Sequence, residues 1–85
     1  EDSQLADWLL TFLKTYYPDR LKTRYKLNTI NKHNDILIQD ISHTMKWLTK
    51  QNSPNEEKAT RQLIEDFQKQ RFGAISFDQP TTGVG

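Results

Sequence analysis

The sequence predicts an all-α fold, a compact bundle of about four short helices. Two observations carry this. Large apolar residues recur at helical spacing in separate segments, and the glycines and prolines lie at the ends of those segments, where helix punctuation belongs. There is no internal repeat. Eighty-five residues suit one domain, expected over residues 1–77, with 78–85 as a short, extended and flexible tail.

The first helix has the strongest signal. Leu5, Trp8, Leu9, Phe12, Leu13 and Tyr16 form one wide stripe at a period of 3.6, expected to face the core. Asp2 or Ser3 caps its start and Pro18 ends it, because the residue before a proline avoids helical angles. Pro18 also opens a second, short helix as its first residue. Leu21 and Tyr25 share one face of that helix, surrounded by Arg20, Lys22, Arg24 and Lys26. The polar, Asn-rich stretch from Lys26 to Asn34 reads as a loop.

A third helix is expected over Asp35–Thr49, capped by Asn34, with Ile38, Ile41, Met45 and Leu48 inward. Ile36-Leu37-Ile38 alone is compatible with a strand, but length and the later spacing favour helix. After a turn at Lys50–Asn52, Ser53-Pro54-Asn55-Glu56 matches a capping box with proline at the first helical position. The fourth helix then turns Ala59, Leu63, Ile64 and Phe67 inward. Lys69 and Arg71 stand in its last turn, and Gly73 is placed to take left-handed angles that close it. Ala74–Phe77 is an apolar tag expected to lie back on the bundle.

Composition narrows the function. The apolar fraction is 34%, yet two Trp, three Tyr and four Phe supply large side chains to bury, so disorder is not expected. Twelve basic and eleven acidic residues leave a net charge of +1, so global charge predicts neither nucleic-acid nor membrane binding. The absence of cysteine excludes disulfides and thiolate metal sites within the sequence. No apolar run approaches the ~18 residues of a spanning helix, and a cytoplasmic, non-membrane setting is expected. The first residue is Glu1 and not Met, which fits an excised fragment.

No catalytic constellation stands out. There is no GxxxxGK[ST] loop to cradle phosphates. Asn31-Lys32-His33-Asn34 approaches the guanine-reading NKxD motif but puts Asn34 where an aspartate must accept both base-edge donors. His33 and His43 lack companions for a metal site. Glu56-Glu57 and Glu65-Asp66 are adjacent pairs that diverge on a helix, and read as caps and solvated faces. The aromatic stripe of the first helix reads as core and not as a base-stacking platform. The basic clusters say more. Arg20, Lys22, Arg24 and Lys26 place four cations in seven residues, with Lys69 and Arg71 as a second group. Such side chains neutralise phosphates and release counterions, or simply solubilise a surface.

The fourth helix carries a familiar pattern. Gln62-Leu63-Ile64-Glu65-Asp66-Phe67-Gln68-Lys69-Gln70-Arg71-Phe72-Gly73-Ala74-Ile75-Ser76-Phe77 resembles the C-terminal signature of the ribosome biogenesis GTPase A family. Leu10 to Tyr25 is similar to the family's L-x-F-L-x-x-x-Y-P-x-x-L-x-x-R-Y, and Asp40-Ile41 lies where the family has its middle helix. The match runs from about Leu5 to Phe77. Gln68, Gln70 and Ala74 depart from it, standing where the family has Arg, Gly and Arg. His43-Thr44-Met45-Lys46 replaces a stretch that the family fills with Arg and Lys.

The resemblance implies a C-terminal accessory domain, similar to ANTAR-type RNA-binding bundles, of a circularly permuted GTPase that acts late in large-subunit assembly. The nucleotide motifs, with GTP and Mg, would lie upstream, and the domain itself would be monomeric, hold no cofactor and not be an enzyme. The expected partners are ribosomal RNA of the large-subunit precursor and the GTPase domain of the longer protein. Arg20, Lys22, Arg24, Lys26, Lys69 and Arg71 are the expected RNA-binding residues. The competing expectation is a protein-interaction module, docking on a ribosomal protein or on that GTPase domain through exposed Trp47 and Phe72.

Overall fold

Helical periodicity becomes four helices: α1 (Asp2–Tyr16), α2 (Pro18–Tyr25), α3 (Asn34–Met45) and α4 (Glu56–Gln68). The computed structural model describes residues 2–75; Ser76, Phe77 and the expected tail at 78–85 lie outside the described residues. Among the described residues there is no strand, only an isolated antiparallel bridge between Leu48 and Pro54. The all-α bundle is as expected.

α1 is the spine of the packing and touches α2, α3 and α4. Leu10 and Leu13 from α1, Leu21 and Tyr25 from α2, Leu37 and Ile41 from α3 and Leu63 from α4 are fully buried in one cluster. Each such side chain contributes about 1.5–3 kcal/mol on leaving water. The face of α1 differs from the expected stripe. Ala6 and Leu10 are buried with Leu9, Phe12 and Leu13, whereas Leu5, Trp8 and Tyr16 are 43%, 49% and 52% exposed. The core contacts centre on Leu13 with Ala6 and Leu10, beyond one flank of the stripe, and the flank that carries Trp8 forms an aromatic ridge. Trp8 stacks on Phe12 at 5.3 Å, and Phe12 meets Tyr16 at 5.2 Å and Phe67 edge-on at 6.4 Å.

The helix ends also depart from expectation. α3 stops at Met45 and not at Thr49, and its N-cap is His33, with Asn34 already helical. Trp47 and Leu48 leave the helix to enter a tight turn, in which the Trp47 carbonyl accepts from Asn55 and the Ser53 carbonyl accepts from Thr49. That turn commits Ser53 and Pro54, so the expected capping box does not form. Asn55 caps α4 instead, its side chain accepting from the Lys58 amide at 3.1 Å. Leu63 and Ala59 are buried as expected, while Ile64 and Phe67 are half-buried.

Three helices close with one device. Lys26, Lys46 and Gln70 adopt left-handed φ of 55°, 58° and 56°. In each case the next amide donates back five residues: Leu27 to Lys22, Trp47 to Ser42 and Arg71 to Asp66. This is the Schellman closure, and glycine is its usual residue. Gly73 does take a positive φ of 94°, but it follows the closure of α4 and does not make it. An L residue in this region costs about 1–2 kcal/mol, while glycine gives back part of that gain as unfolded-state entropy. Lys46→Gly is therefore expected to raise unfolding free energy by about 0.5–1 kcal/mol. Urea titration checks this, and an unchanged or lower midpoint contradicts it.

Candidate nucleic-acid interface

The expected RNA-binding cations lie on α2 and just beyond the end of α4, and the structure divides them by what holds each one. Lys22 and Lys26 make no ion pair among the described residues, with Lys26 exposed and Lys22 partly so. Arg20 is exposed but fixed. Its guanidinium lies 5.0 Å over the Tyr17 ring, donates to the Ala74 carbonyl and rests against Gly73. Lys69 makes an exposed pair with Glu65 at 3.6 Å, one turn back.

Arg24 and Arg71 instead converge on Asp66, which is fully buried. Asp66 Oδ2 accepts from the Tyr25 hydroxyl at 2.6 Å and from Arg24 Nε at 3.4 Å, and Oδ1 accepts from Arg71 Nη1 at 2.8 Å. Arg71 Nη1 also reaches Glu65 at 3.2 Å. A buried carboxylate is expensive without partners, and here both oxygens are used. The hydrogen bond to Asp66 holds the Arg71 guanidinium above its ordinary range. Burial, and then the hydrogen bond to Asp66, push the Tyr25 hydroxyl well above the usual tyrosine range.

This overturns the reading of Glu65-Asp66 as a solvated pair. Adjacent helix positions do diverge, as expected, and the divergence sends Asp66 into the core while Glu65 stays near the surface. Sequence reasoning misses the site because the partner in the core is 41 residues away along the chain. The available signal is an aspartate three residues beyond the buried Leu63, on the inward face.

Elsewhere, Lys14 and Lys32 are engaged. Lys14 Nζ donates to the Lys32 carbonyl and to Asn34 Oδ1, and Lys32 pairs with Asp40 at 2.6 Å. Asn34 Nδ2 donates to Asp7 Oδ1 and Thr11 Oγ1, fastening the loop after α2 to α1. Asn31–Asn34 is thus a polar clasp at the start of α3. Phe72 is buried with its ring edge-on to Tyr25, and Trp47 is half-buried against the same ring. Neither is the exposed docking residue expected of it. Among the described residues the exposed aromatics are Trp8 and Tyr16. No helix of the described residues is long and apolar enough to cross a membrane.

Fold and site together define a small all-α domain with a cationic helix held in place by a buried carboxylate. Comparison with known proteins adds three similar sequences. The chain is 35% identical over 76 residues to ribosome biogenesis GTPase A of Bacillus licheniformis, covering 89% of this chain and 27% of the relative. It is 34% identical over 76 residues to the protein of that name from Bacillus pumilus, with the same coverage. Against that of Priestia megaterium it is 27% identical over 77 residues, 91% of this chain and 27% of the relative. The chain is thus similar to the ribosome biogenesis GTPase A proteins, as its motifs implied, and spans about a quarter of their length. No family model matches the chain, and no solved structure matches it.

The buried carboxylate makes stability testable in two ways. Asp66→Ala strands the Tyr25 hydroxyl and two guanidiniums, and is expected to cost about 2–4 kcal/mol, against about 1–2 kcal/mol for Tyr25→Phe. Urea denaturation gives the order, and equal costs contradict the hub. The second test concerns pH. The folded state holds Tyr25 neutral, whereas an unfolded tyrosine ionises near pH ~10. The stabilisation is complete below that pH and is lost as pH rises above it. Tyr25→Phe is expected to flatten the alkaline fall in stability, measured as melting temperature from pH 8 to 11.

Proposed function

We propose that this chain is the RNA-docking domain of a ribosome-assembly GTPase, positioning the nucleotide-hydrolysing part of the longer protein on the large-subunit precursor. The observation that carries the reading is the set of cations on both flanks of α2. Arg20, Lys22 and Lys26 stand on one short helix and its closing turn, and the carboxylate of Asp66 is turned into the core, away from them. Lys69, just beyond α4, adds a further exposed cation, and Arg24 and Arg71 lie beside the buried Asp66. The relation to proteins named for ribosome biogenesis supplies the particle, where RNA phosphates are the abundant surface. Folded RNA is read chiefly through shape and backbone. A rigid helix bearing spaced cations suits that task better than it suits catalysis. GTP and Mg binding belong, on this reading, to the remainder of the longer protein, which works in the cytoplasm.

A second reading has its own observation. Leu5, Trp8 and Tyr16 on α1 are three of the four large apolar residues exposed among the described residues. Aromatic anchors of this kind suit a protein partner, either a ribosomal protein or the GTPase domain.

The two readings differ in salt dependence. Lys22→Glu with Lys26→Glu is expected to weaken binding to large-subunit precursor particles by about tenfold or more. It should also flatten the plot of log affinity against log salt by about 0.7–0.9 for each phosphate that is no longer neutralised. Trp8→Ala is expected to leave that slope alone. Unchanged affinity and slope in the double lysine variant, with weaker binding in Trp8→Ala, would move the assignment to the protein partner.

A further inference from the structure

Between α2 and the segment after α4 lies a notch of about 230 Å³, lined by Asp19, Arg20, Thr23, Arg24, Arg71 and Phe72. Three of its six lining residues are arginines, and each guanidinium is already held. Arg20 is clamped between the Tyr17 ring and the Gly73–Ala74 backbone. Arg24 reaches Asp66 through Nε alone, leaving its terminal nitrogens uncommitted among the described residues. Arg71 uses Nη1 on Asp66 and Glu65 and keeps Nε and Nη2. The Arg24 and Arg71 side chains are 30% and 37% exposed, so those donors remain within reach of a ligand. The Thr23 side chain, exposed on the rim, has no hydrogen-bond partner among the described residues.

Held guanidiniums are the costly part of an oxyanion site, because a free arginine loses rotamer entropy on binding and these have already lost it. The buried carboxylate does the holding. Its acceptor oxygens are occupied by Tyr25, Arg24 and Arg71, so it does not compete for the donors that face the notch. The volume takes a phosphate group with several waters, each filling about 30 Å³.

We propose that this notch seats a single phosphodiester group of the RNA backbone, gripped by Arg24 and Arg71 with Arg20 and Thr23 at its rim. The proposal rests on the RNA-docking reading above and deepens it. Lys22 and Lys26 supply diffuse attraction, whereas the notch supplies register. Asp19, Glu65 and Asp66 balance the three arginines in formal charge. Binding here therefore comes from directed, charge-assisted hydrogen bonds and is less sensitive to salt than binding at the lysines.

Replacing Arg24 or Arg71 would also release Asp66 and disturb the fold, so the test uses Thr23→Glu. It sets a carboxylate at the rim without touching the core. Gln51→Glu, on the exposed turn between α3 and α4, is the charge-matched control. The Nε–H resonances of Arg24 and Arg71 in the whole chain are followed during titration with inorganic phosphate, and affinity for large-subunit precursor particles is measured for each variant. The expected result is a phosphate-dependent shift of both resonances, abolished by Thr23→Glu, with particle affinity about tenfold lower than in Gln51→Glu. Particle binding that is equal in the two variants, with or without arginine shifts, overturns the notch as an RNA contact while leaving RNA docking in place. Arginine shifts in that case mark a site for free phosphate only. Failure of the wild-type chain to bind the particles at all overturns both readings.

Discussion

The architecture depends on one carboxylate. The backbones of α2 and α4 do not approach each other, although α1 packs against both and α3 touches both. What joins them is Asp66, which accepts from Tyr25 and Arg24 on α2 and from Arg71 just beyond α4. An α2 rotated by a single residue would withdraw Tyr25 and Arg24 from Asp66 and leave Oδ2 of a buried carboxylate without a partner, at a cost of about 1–3 kcal/mol. The rotation of α2 is thereby fixed, and with it the direction in which Lys22 points. Hydrophobic burial of Leu21 and Tyr25 alone would tolerate a wider range of rotations, because apolar contact is non-directional. Asp66 thus converts a packed helix into an oriented one.

Most of the architecture is legible in the sequence, because helical periodicity and Pro18 report on local structure. The four helices and the start of α2 follow from them. The rotation of α1 does not. A stripe as wide as Leu5 to Tyr16 covers more of the helix than its neighbours cover, and periodicity cannot say which flank is left out. Ala6 escapes notice because a methyl carries little hydropathy, yet its smallness suits the close packing of α1. The ends of α3 and α4 are hidden for a different reason. Lys46 and Gln70 give no sign of left-handed geometry as residue types, and the turn at 47–55 consumes the serine that looks like a cap. Gln70 does carry a clue of another kind. It stands where the family pattern has glycine, and a glycine just after a helix marks a backbone that turns left-handed.

The candidate site is legible only as a set of cations. Arg20, Lys22, Arg24 and Lys26 look alike in sequence, at alternate positions along one helix. The fold sorts them by distance from Asp66 and Tyr17, so that two arginines face structure and two lysines face solvent. The sorting follows side-chain chemistry. A guanidinium is planar, carries several donors and is weakly hydrated, so it can share a carboxylate with a tyrosine and still present free donors. An ammonium keeps its hydration best at the end of a free stem. The same logic makes Trp47 and Phe72 core residues here. Both lie against the Tyr25 ring, and their apparent exposure in sequence comes from polar neighbours along the chain rather than in space.

The left-handed lysines bear on the proposed RNA docking. Lys26 and Lys46 occupy positions where glycine would relieve strain, and each sits where helix carbonyls present partial negative charge. The dipole offsets only part of the backbone cost, typically about 0.3–1 kcal/mol at an exposed terminus, so stability alone does not account for a lysine there. Its charge is what glycine could not supply. At Lys26 that charge follows Lys22 on the solvent-facing flank, past the helix end and beyond the reach of Asp66. A domain that meets a polyanion gains a contact on a backbone that the Schellman closure keeps rigid.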